Sequence, residues 1–263
     1  MLKFIDTHAH LTDARLLDTK AVQQRWEENH ISDVFTVSYD KKSMIESVEL
    51  ARNNPNIYAI IGIHPDDYKD YTNQTAKLIE ELAKDDKVVA IGEIGLDYHM
   101  IDSNDIETKN KQKEVFVSQI KLADKLGLPI MIHLRSACKD LVDILFENRK
   151  YLNNAVIIHC YSESVETYNL LKKLNVTIGI GGVVTFKNGR NLQEVVKEAN
   201  LSDIILETDC PYLSPEPYRG TTNEPKNILY IAEKICEIKN ISLEELSEQT
   251  CNTVKKIFPK YKG

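Results

Sequence analysis

At 263 residues, with 42% hydrophobic and 28% charged side chains and only eight prolines, the chain has the make-up of one large globular domain able to bury a substantial core. That balance excludes collagenous, low-complexity and mainly disordered chains, and a net charge of −7 excludes a coat for duplex DNA built on a broad basic surface. No apolar run reaches the ~20 residues of a membrane span, and Met1-Leu2-Lys3-Phe4-Ile5-Asp6 meets charge too early for a signal-peptide core, so the expected location is the cytoplasm, with no membrane partner.

Along the chain, short β-rich runs with few polar interruptions alternate with longer stretches of helical spacing, the pattern of parallel strands covered on both faces. Strands are predicted at Lys3-Phe4-Ile5-Asp6, Asp33-Val34-Phe35-Thr36-Val37, Tyr58-Ala59-Ile60-Ile61-Gly62 and Val88-Val89-Ala90-Ile91-Gly92. Four more follow at Pro129-Ile130-Met131-Ile132-His133, Val156-Ile157-Ile158-His159, Val176-Thr177-Ile178-Gly179-Ile180 and Ile204-Ile205-Leu206-Glu207. Helical spacing of Leu, Lys and Glu marks Glu107 to Leu126, Ser136 to Asn148, Val165 to Leu174 and Leu192 to Ala199. The stretch from Asn227 to Phe258 reads as two helices divided at Asn240-Ile241-Ser242, with Ser242 and Glu245 as a capping box.

Eight strands with intervening helices predict an α/β fold, a (β/α)8 TIM barrel forming one domain over residues 1–263, its outer ring completed by the helices from about residue 226. A doubly wound open sheet would alternate in the same way. The phosphate-loop pattern is absent, however, and Gly179-Ile180-Gly181-Gly182 lacks the dinucleotide fingerprint, so it reads as a tight turn. Five cysteines without any Cys-x-x-Cys pair read as reduced thiols.

The histidines carry the strongest signal. Of seven, five fall at or just beyond the C-terminal end of a predicted strand: His8, His10, His64, His133 and His159. In a barrel those ends converge on the face that holds active sites. His8 and His10, at i and i+2 on an extended segment, point the same way and can chelate one metal. Glu93 sits in an apolar stretch, where a buried carboxylate is costly unless it is metal-bound or paired, with Arg135 the nearby partner for the latter. His133 and His159 would each be an ordinary core histidine alone, yet as a pair from adjacent strands they suit a second metal if Glu93 is shared.

The spacing therefore groups His8, His10, Glu93 and Asp209 around one divalent ion and Glu93, His133 and His159 around another, with Asp209 and Glu93 as the catalytic carboxylates. Two such ions lower the pKa of a shared water and brace an in-line displacement. Mixed imidazole and carboxylate ligands suit zinc, manganese or iron, with magnesium a less natural fit. Buried ions would also add about four positive charges that the formal sum does not count, so the acidic balance leaves a phosphate-bearing substrate open. His64, Arg135 and Arg219 are candidate contacts to such an anion, with Lys187 and Arg190 weaker ones, and Tyr98, Tyr161 and Tyr212 offer stacking faces. Cys160 and Cys210 read as small packing residues.

These residues spell a family pattern. From Asp6-Thr7-His8-Ala9-His10 through Ile61-Gly62-Ile63-His64-Pro65, Gly92-Glu93-Ile94-Gly95-Leu96-Asp97-Tyr98, Ile132-His133-Leu134-Arg135 and His159-Cys160-Tyr161-Ser162 to Glu207-Thr208-Asp209, the chain resembles the TatD-type metal-dependent deoxyribonucleases of the amidohydrolase-like barrel group. The resemblance continues through Arg219-Gly220 and Asn223-Glu224-Pro225. It implies a two-metal site on His8, His10, Glu93, His133, His159 and Asp209, with His64 and Arg135 beside the scissile phosphate. It also implies hydrolysis of DNA phosphodiester bonds, in the form of a 3′-to-5′ exonuclease on single-stranded or frayed ends, and the expected role is DNA repair or degradation. The expected partner is thus DNA, and the expected state a monomer or weak oligomer. Two departures bear on substrate preference: Glu163 stands where the family usually has glycine, and Thr221-Thr222 stands where it often has a Lys or Arg. The alternative is the same site turned to a small ester, amide or phosphate ester.

Overall fold

The computed structural model describes residues 2–16 and 18–263; Met1, at the head of the charged N-terminal run, lies outside them. Eight strands alternate with helices: β1 (Phe4–Ala9), β2 (Ile31–Val37), β3 (Ile57–Ile61), β4 (Val88–Asp97), β5 (Ile130–Arg135), β6 (Val156–Ile158), β7 (Val176–Ile180) and β8 (Ile204–Leu206). They pair in parallel in chain order, which is the predicted (β/α)8 barrel. The ring closes beyond the end of β8. There Ala9 bridges Cys210, the His10 N–H donates to the Cys210 carbonyl at 2.7 Å, and the Asp209 N–H donates to the His8 carbonyl at 2.8 Å.

The crossovers carry α1 (Thr19–Glu27), α2 (Lys41–Asn53), α3 (Asn73–Leu82), α4 (Ile106–Leu126), α5 (Cys138–Glu147), α6 (Val165–Leu171) and α7 (Arg190–Glu198), with α8 (Ile228–Lys239) and α9 (Leu243–Ile257) at the C-terminus. Three of these, α1 to α3, are not singled out by apolar spacing; their starts are marked by Asp18, Asp40 and Thr72, whose side chains accept the N–H of Ala21, Ser43 and Thr75. At α9 only the Ser242 half of the expected capping box is present, accepting the Glu245 N–H at 3.1 Å. Of the cluster Gly179-Ile180-Gly181-Gly182 read as a tight turn, Gly179 and Ile180 lie in β7, and the chain turns only after them, in a 3₁₀ turn over Gly182–Thr185. No helix among the described residues is long and apolar enough to cross a membrane.

Both faces of the sheet are covered, which explains the near-continuous apolar runs. Residues on one face pack against the helical ring, among them Phe4, Val34, Ile61 and Ile94. Those on the other, including Ile5, Phe35, Tyr58, Ile60, Val89 and Met131, fill the barrel's N-terminal half. Phe258 plugs that end, its ring 5.0 Å from that of Phe35. Beyond it, the Tyr261 hydroxyl donates to Asp33 at 2.7 Å and Lys260 donates to the carbonyls of Ala83 and Asp85. With the lower half filled mainly by hydrocarbon, the clustered histidines and carboxylates stand at the upper end.

Of the strand boundaries that differ from expectation, two matter to the site. β1 runs to Ala9 and so contains His8, while β4 runs ten residues to Asp97 and so contains Glu93. Ligands placed on strands rather than in loops are fixed by the ladder itself.

Candidate metal centre

Asp6 organises the first strand. Its buried carboxylate accepts the Thr208 N–H at 2.9 Å, the Thr208 hydroxyl at 2.5 Å and the His8 N–H at 3.3 Å, which locks β1 to the segment after β8 and presents His8 and Asp209 together. Burial pushes the Asp6 carboxyl up to about 7.

Glu93 divides the centre. Its Oε2 lies 3.4 Å from His8 Nε2 and 3.8 Å from His10 Nε2, and Asp209 Oδ1 completes that side at 3.7 Å and 3.4 Å from the same two nitrogens. Its Oε1 lies 2.6 Å from both His133 Nδ1 and His159 Nε2 and 3.7 Å from His64 Nε2. One carboxylate therefore shows a separate oxygen to each of the two histidine groups that spacing assigns to separate ions. All six predicted ligands converge, and the donor atoms fall into overlapping clusters of three able to hold a cation.

The donor set fits a metal on structural grounds. Both ring nitrogens of His8 and Nδ1 of His159 are buried without a hydrogen-bond partner among the described residues, a costly arrangement that an ion relieves. The two rings stack at 4.0 Å. Burial pushes His8 down to about 4 and His64 likewise to about 4, leaving both neutral; the His8 lone pair is free, whereas His64 Nδ1 accepts the Asp66 N–H at 3.2 Å. His10 donates Nδ1–H to the Val37 carbonyl at 3.0 Å, which turns Nε2 toward Asp209 and Glu93. Burial opposes the ionisation of Glu93, but the charge of His159 and the hydrogen bonds from His133 and His159 hold its carboxyl well below the usual range.

Of the expected substrate contacts, Arg135 lines the mouth of a cavity of about 430 Å³ above the ligands and is 54% exposed at its side chain. Its guanidinium lies 3.9 Å from Asp97. Tyr212 also lines that mouth. His64 also lines that cavity, its ring 4.4 Å from His133 and within reach of the second ligand group. Arg219, Tyr98 and Tyr161 do not line that cavity. Arg219 lies over the Phe186 ring at 4.3 Å and does not line the cavity, because the loop after β8 folds its guanidinium onto that aromatic face. Tyr98 donates its hydroxyl to Asp140 at 3.0 Å and faces an adjoining cavity. Tyr161 is buried with its hydroxyl on the Ser164 carbonyl, so it offers no stacking face. Lys187, Arg190 and Glu163 are also not among the lining residues. Cys160 and Cys210 pack without approaching as ligands, and burial raises both thiols.

Three contributors are not among the residues that spacing picks out. Asp97 accepts from His133 Nε2 at 3.1 Å, so that imidazole is gripped at both nitrogens. Glu207 is fully buried, accepts the Cys160 N–H and lies 3.8 Å from His159 Nδ1; a Cβ on Gly179 would fall on its carboxylate, which is why glycine stands there. Tyr39 lines the mouth opposite the strands that carry Glu93 and His133. A signal for the two acids exists: Glu207 is two residues from Asp209 and Asp97 four from Glu93, spacings that keep extended residues on one face.

The family model for TatD related DNase matches residues 5–259. The chain belongs to the TatD family. Among its relatives, the metal-dependent hydrolase YabD of Bacillus subtilis is 41% identical over 254 residues, which cover 96% of this chain and 98% of that protein. The metal-dependent hydrolase YcfH of Escherichia coli K12 is 30% identical over 258 residues, covering 97% and 95%. Among solved structures, the TatD homolog YjjV of E. coli superposes with a TM-score of 0.90 at 24% identity over 98% of both chains. The TatD family hydrolase of Entamoeba histolytica does so with a TM-score of 0.83 at 28% identity, again over 98% of both. This TatD-family chain is a metal-dependent hydrolase with the barrel fold of its relatives.

Proposed function

We propose that this protein hydrolyses DNA phosphodiester bonds with two divalent ions, removing nucleotides from the 3′ end of single-stranded or frayed DNA in the cytoplasm. The observation that carries the reading is Glu93, whose two oxygens face two separate histidine groups. His8, His10 and Asp209 would hold one ion with Glu93, and His133 and His159 the other. Such ions supply Lewis-acid activation of water and neutralise charge on phosphoryl oxygens.

The chain's own groups match that task. His10 offsets the burial of Asp209 and keeps its carboxyl below the usual range, so it stands ionised at the mouth as a proton acceptor. Arg135 offers a guanidinium to a phosphate, and His64 sits beside the same cavity. Tyr39 and Tyr212, 37% and 48% exposed, both stand 5.9 Å from the His10 ring and give an otherwise polar mouth two faces for unpaired bases. The name of the matching family, a DNase, supports the same substrate.

The test is protein stripped of metal, reloaded with magnesium, manganese or zinc, and incubated with end-labelled single- and double-stranded DNA beside an Asp209→Asn control. Metal-dependent shortening from the 3′ end, lost in the control, is the expected result. Two bound ions per chain without cleavage under any metal would move the activity to a small ester, amide or phosphate ester.

A further inference from the structure

We propose that the DNA strand approaches the metal centre from one side only, across a shelf where Lys109 and Lys139 meet its phosphates and Tyr98 and Ile106 lie against its bases. The inference rests on the DNA reading above and adds to it a binding subsite and a direction of approach.

The shelf is a second cavity of about 360 Å³, lined by Tyr98, Ile106, Lys109, Lys113, Lys139 and Asp140. It continues the first. Asp97 and Arg135 line the metal cavity, and the residues that follow them, Tyr98 and Ser136, line the shelf. The Tyr98 N–H donates to the Arg135 carbonyl at 2.9 Å, so the ends of β4 and β5 form one rigid lip between the two spaces.

Charge separates the two sides of the mouth. The shelf sets three lysines against one carboxylate. On the far side, the groove that shares Tyr39 with the metal cavity has a volume of about 730 Å³ and sets Asp40, Glu46 and Glu49 against Lys42, its fourth carboxylate, Asp13, being paired with Arg15 at 2.8 Å. A polyanion is drawn to the first and repelled by the second. Lys113 is tied to Asp140 at 2.5 Å, while Lys109 donates to the Ser103 carbonyl at 2.8 Å and keeps its charge unpaired among the described residues. Lys139 is 86% exposed and among the described residues pairs only with Asp143 at 2.7 Å, an exposed ion pair that holds little free energy against exchange for a phosphate.

The shelf also carries exposed apolar surface, since Ile106 in its lining is 57% exposed. The Lys109 ammonium lies 5.5 Å from the Tyr98 ring centroid, which sets a cation and an aromatic side by side. That pairing suits sequence-tolerant binding of single strands, in which cations follow the backbone and flat or apolar groups meet the bases. The repulsive groove opposite gives the strand no exit, so it ends at the metal centre. End-wise cutting follows from that charge distribution.

The test compares wild type, Lys109→Gln, Lys139→Gln, the double variant and, on the opposite groove, Lys42→Gln. Each manganese-loaded protein is assayed on a thymidine dodecanucleotide and a thymidine dinucleotide over a range of potassium chloride. The expected result is that the double variant raises KM for the dodecanucleotide about tenfold, leaves kcat and the dinucleotide unchanged, and flattens the salt slope by about 1.4, roughly 0.7 for each phosphate no longer neutralised. Lys42→Gln should change nothing. Unchanged KM at both lengths, or an equal rise at both, overturns the shelf while the DNA reading stands. Wild-type protein that binds the metal and cuts neither length overturns the DNA reading, and the shelf with it.

Discussion

His133 is the most constrained side chain of the centre. Glu93 holds one of its ring nitrogens at 2.6 Å and Asp97 the other at 3.1 Å. A carboxylate behind a metal-binding imidazole fixes its orientation and raises its basicity, and losing such a partner typically weakens binding about 10–100-fold. Asp97→Asn should therefore lower metal affinity by that order in competition with a chromophoric chelator, while His64→Gln, at the rim of the same group, serves as a comparison. Unchanged affinity in Asp97→Asn would remove Asp97 from the centre. The six ligands are legible in the sequence because strand periodicity and strand order are enough to bring them together. Asp97 is not, because the apolar run breaks at Gly92-Glu93 and periodicity alone ends the strand there. Arg219 is misplaced for a different reason: the order of residues in the loop after β8 carries no information about which way that loop folds.

At the scale of elements, the strands are easier to read than the early helices. β3 and β7 are buried at every position, so their sequences are nearly uninterrupted hydrocarbon. By contrast, the buried face of α2 includes Ser43 and Ser47 beside Met44, Val48 and Ala51, and that of α3 includes only Thr75 and Ile79. A face so poor in large apolar residues leaves little periodicity to detect. β7 supplies the sharpest test of packing. With no side chain at Gly179, the Glu207 carboxylate occupies the space beside the strand. Gly179→Ala should cost about 1–3 kcal/mol through overpacking, read from the urea midpoint. Wild-type stability in that variant would mean that the carboxylate has room to move aside.

The whole molecule is polarised along the barrel axis, hydrocarbon below and titratable groups above, and this gives its stability a pH dependence. Burial alone would lower His133, yet the hydrogen bonds it donates to Asp97 and Glu93 reverse the effect and raise it from 6.5 to about 10. The folded, metal-free chain thus holds that proton more tightly than the unfolded one. Its contribution is fully present below about 6.5 and is lost as pH climbs through about 10. The urea midpoint of metal-free protein should accordingly fall between neutral pH and about 10, and less steeply in Asp97→Asn. Loading the metal displaces the same proton, so affinity should rise with pH over that range. A midpoint that stays level across it would mean that His133 is already neutral in the folded chain.

The closure between Ala9 and Cys210 joins the beginning of the sheet to its end through a single bridge and a few hydrogen bonds. His8 and His10 stand on one lip of that seam and Asp209 on the other. An ion gripped by all three would act as a rivet, pinning the place where a ring of strands most readily springs apart. Gaining the cofactor and gaining mechanical closure then become one event, and the amide protons of His10 and Asp209, which sit in the seam, would pass from early to late exchange as the rivet is set.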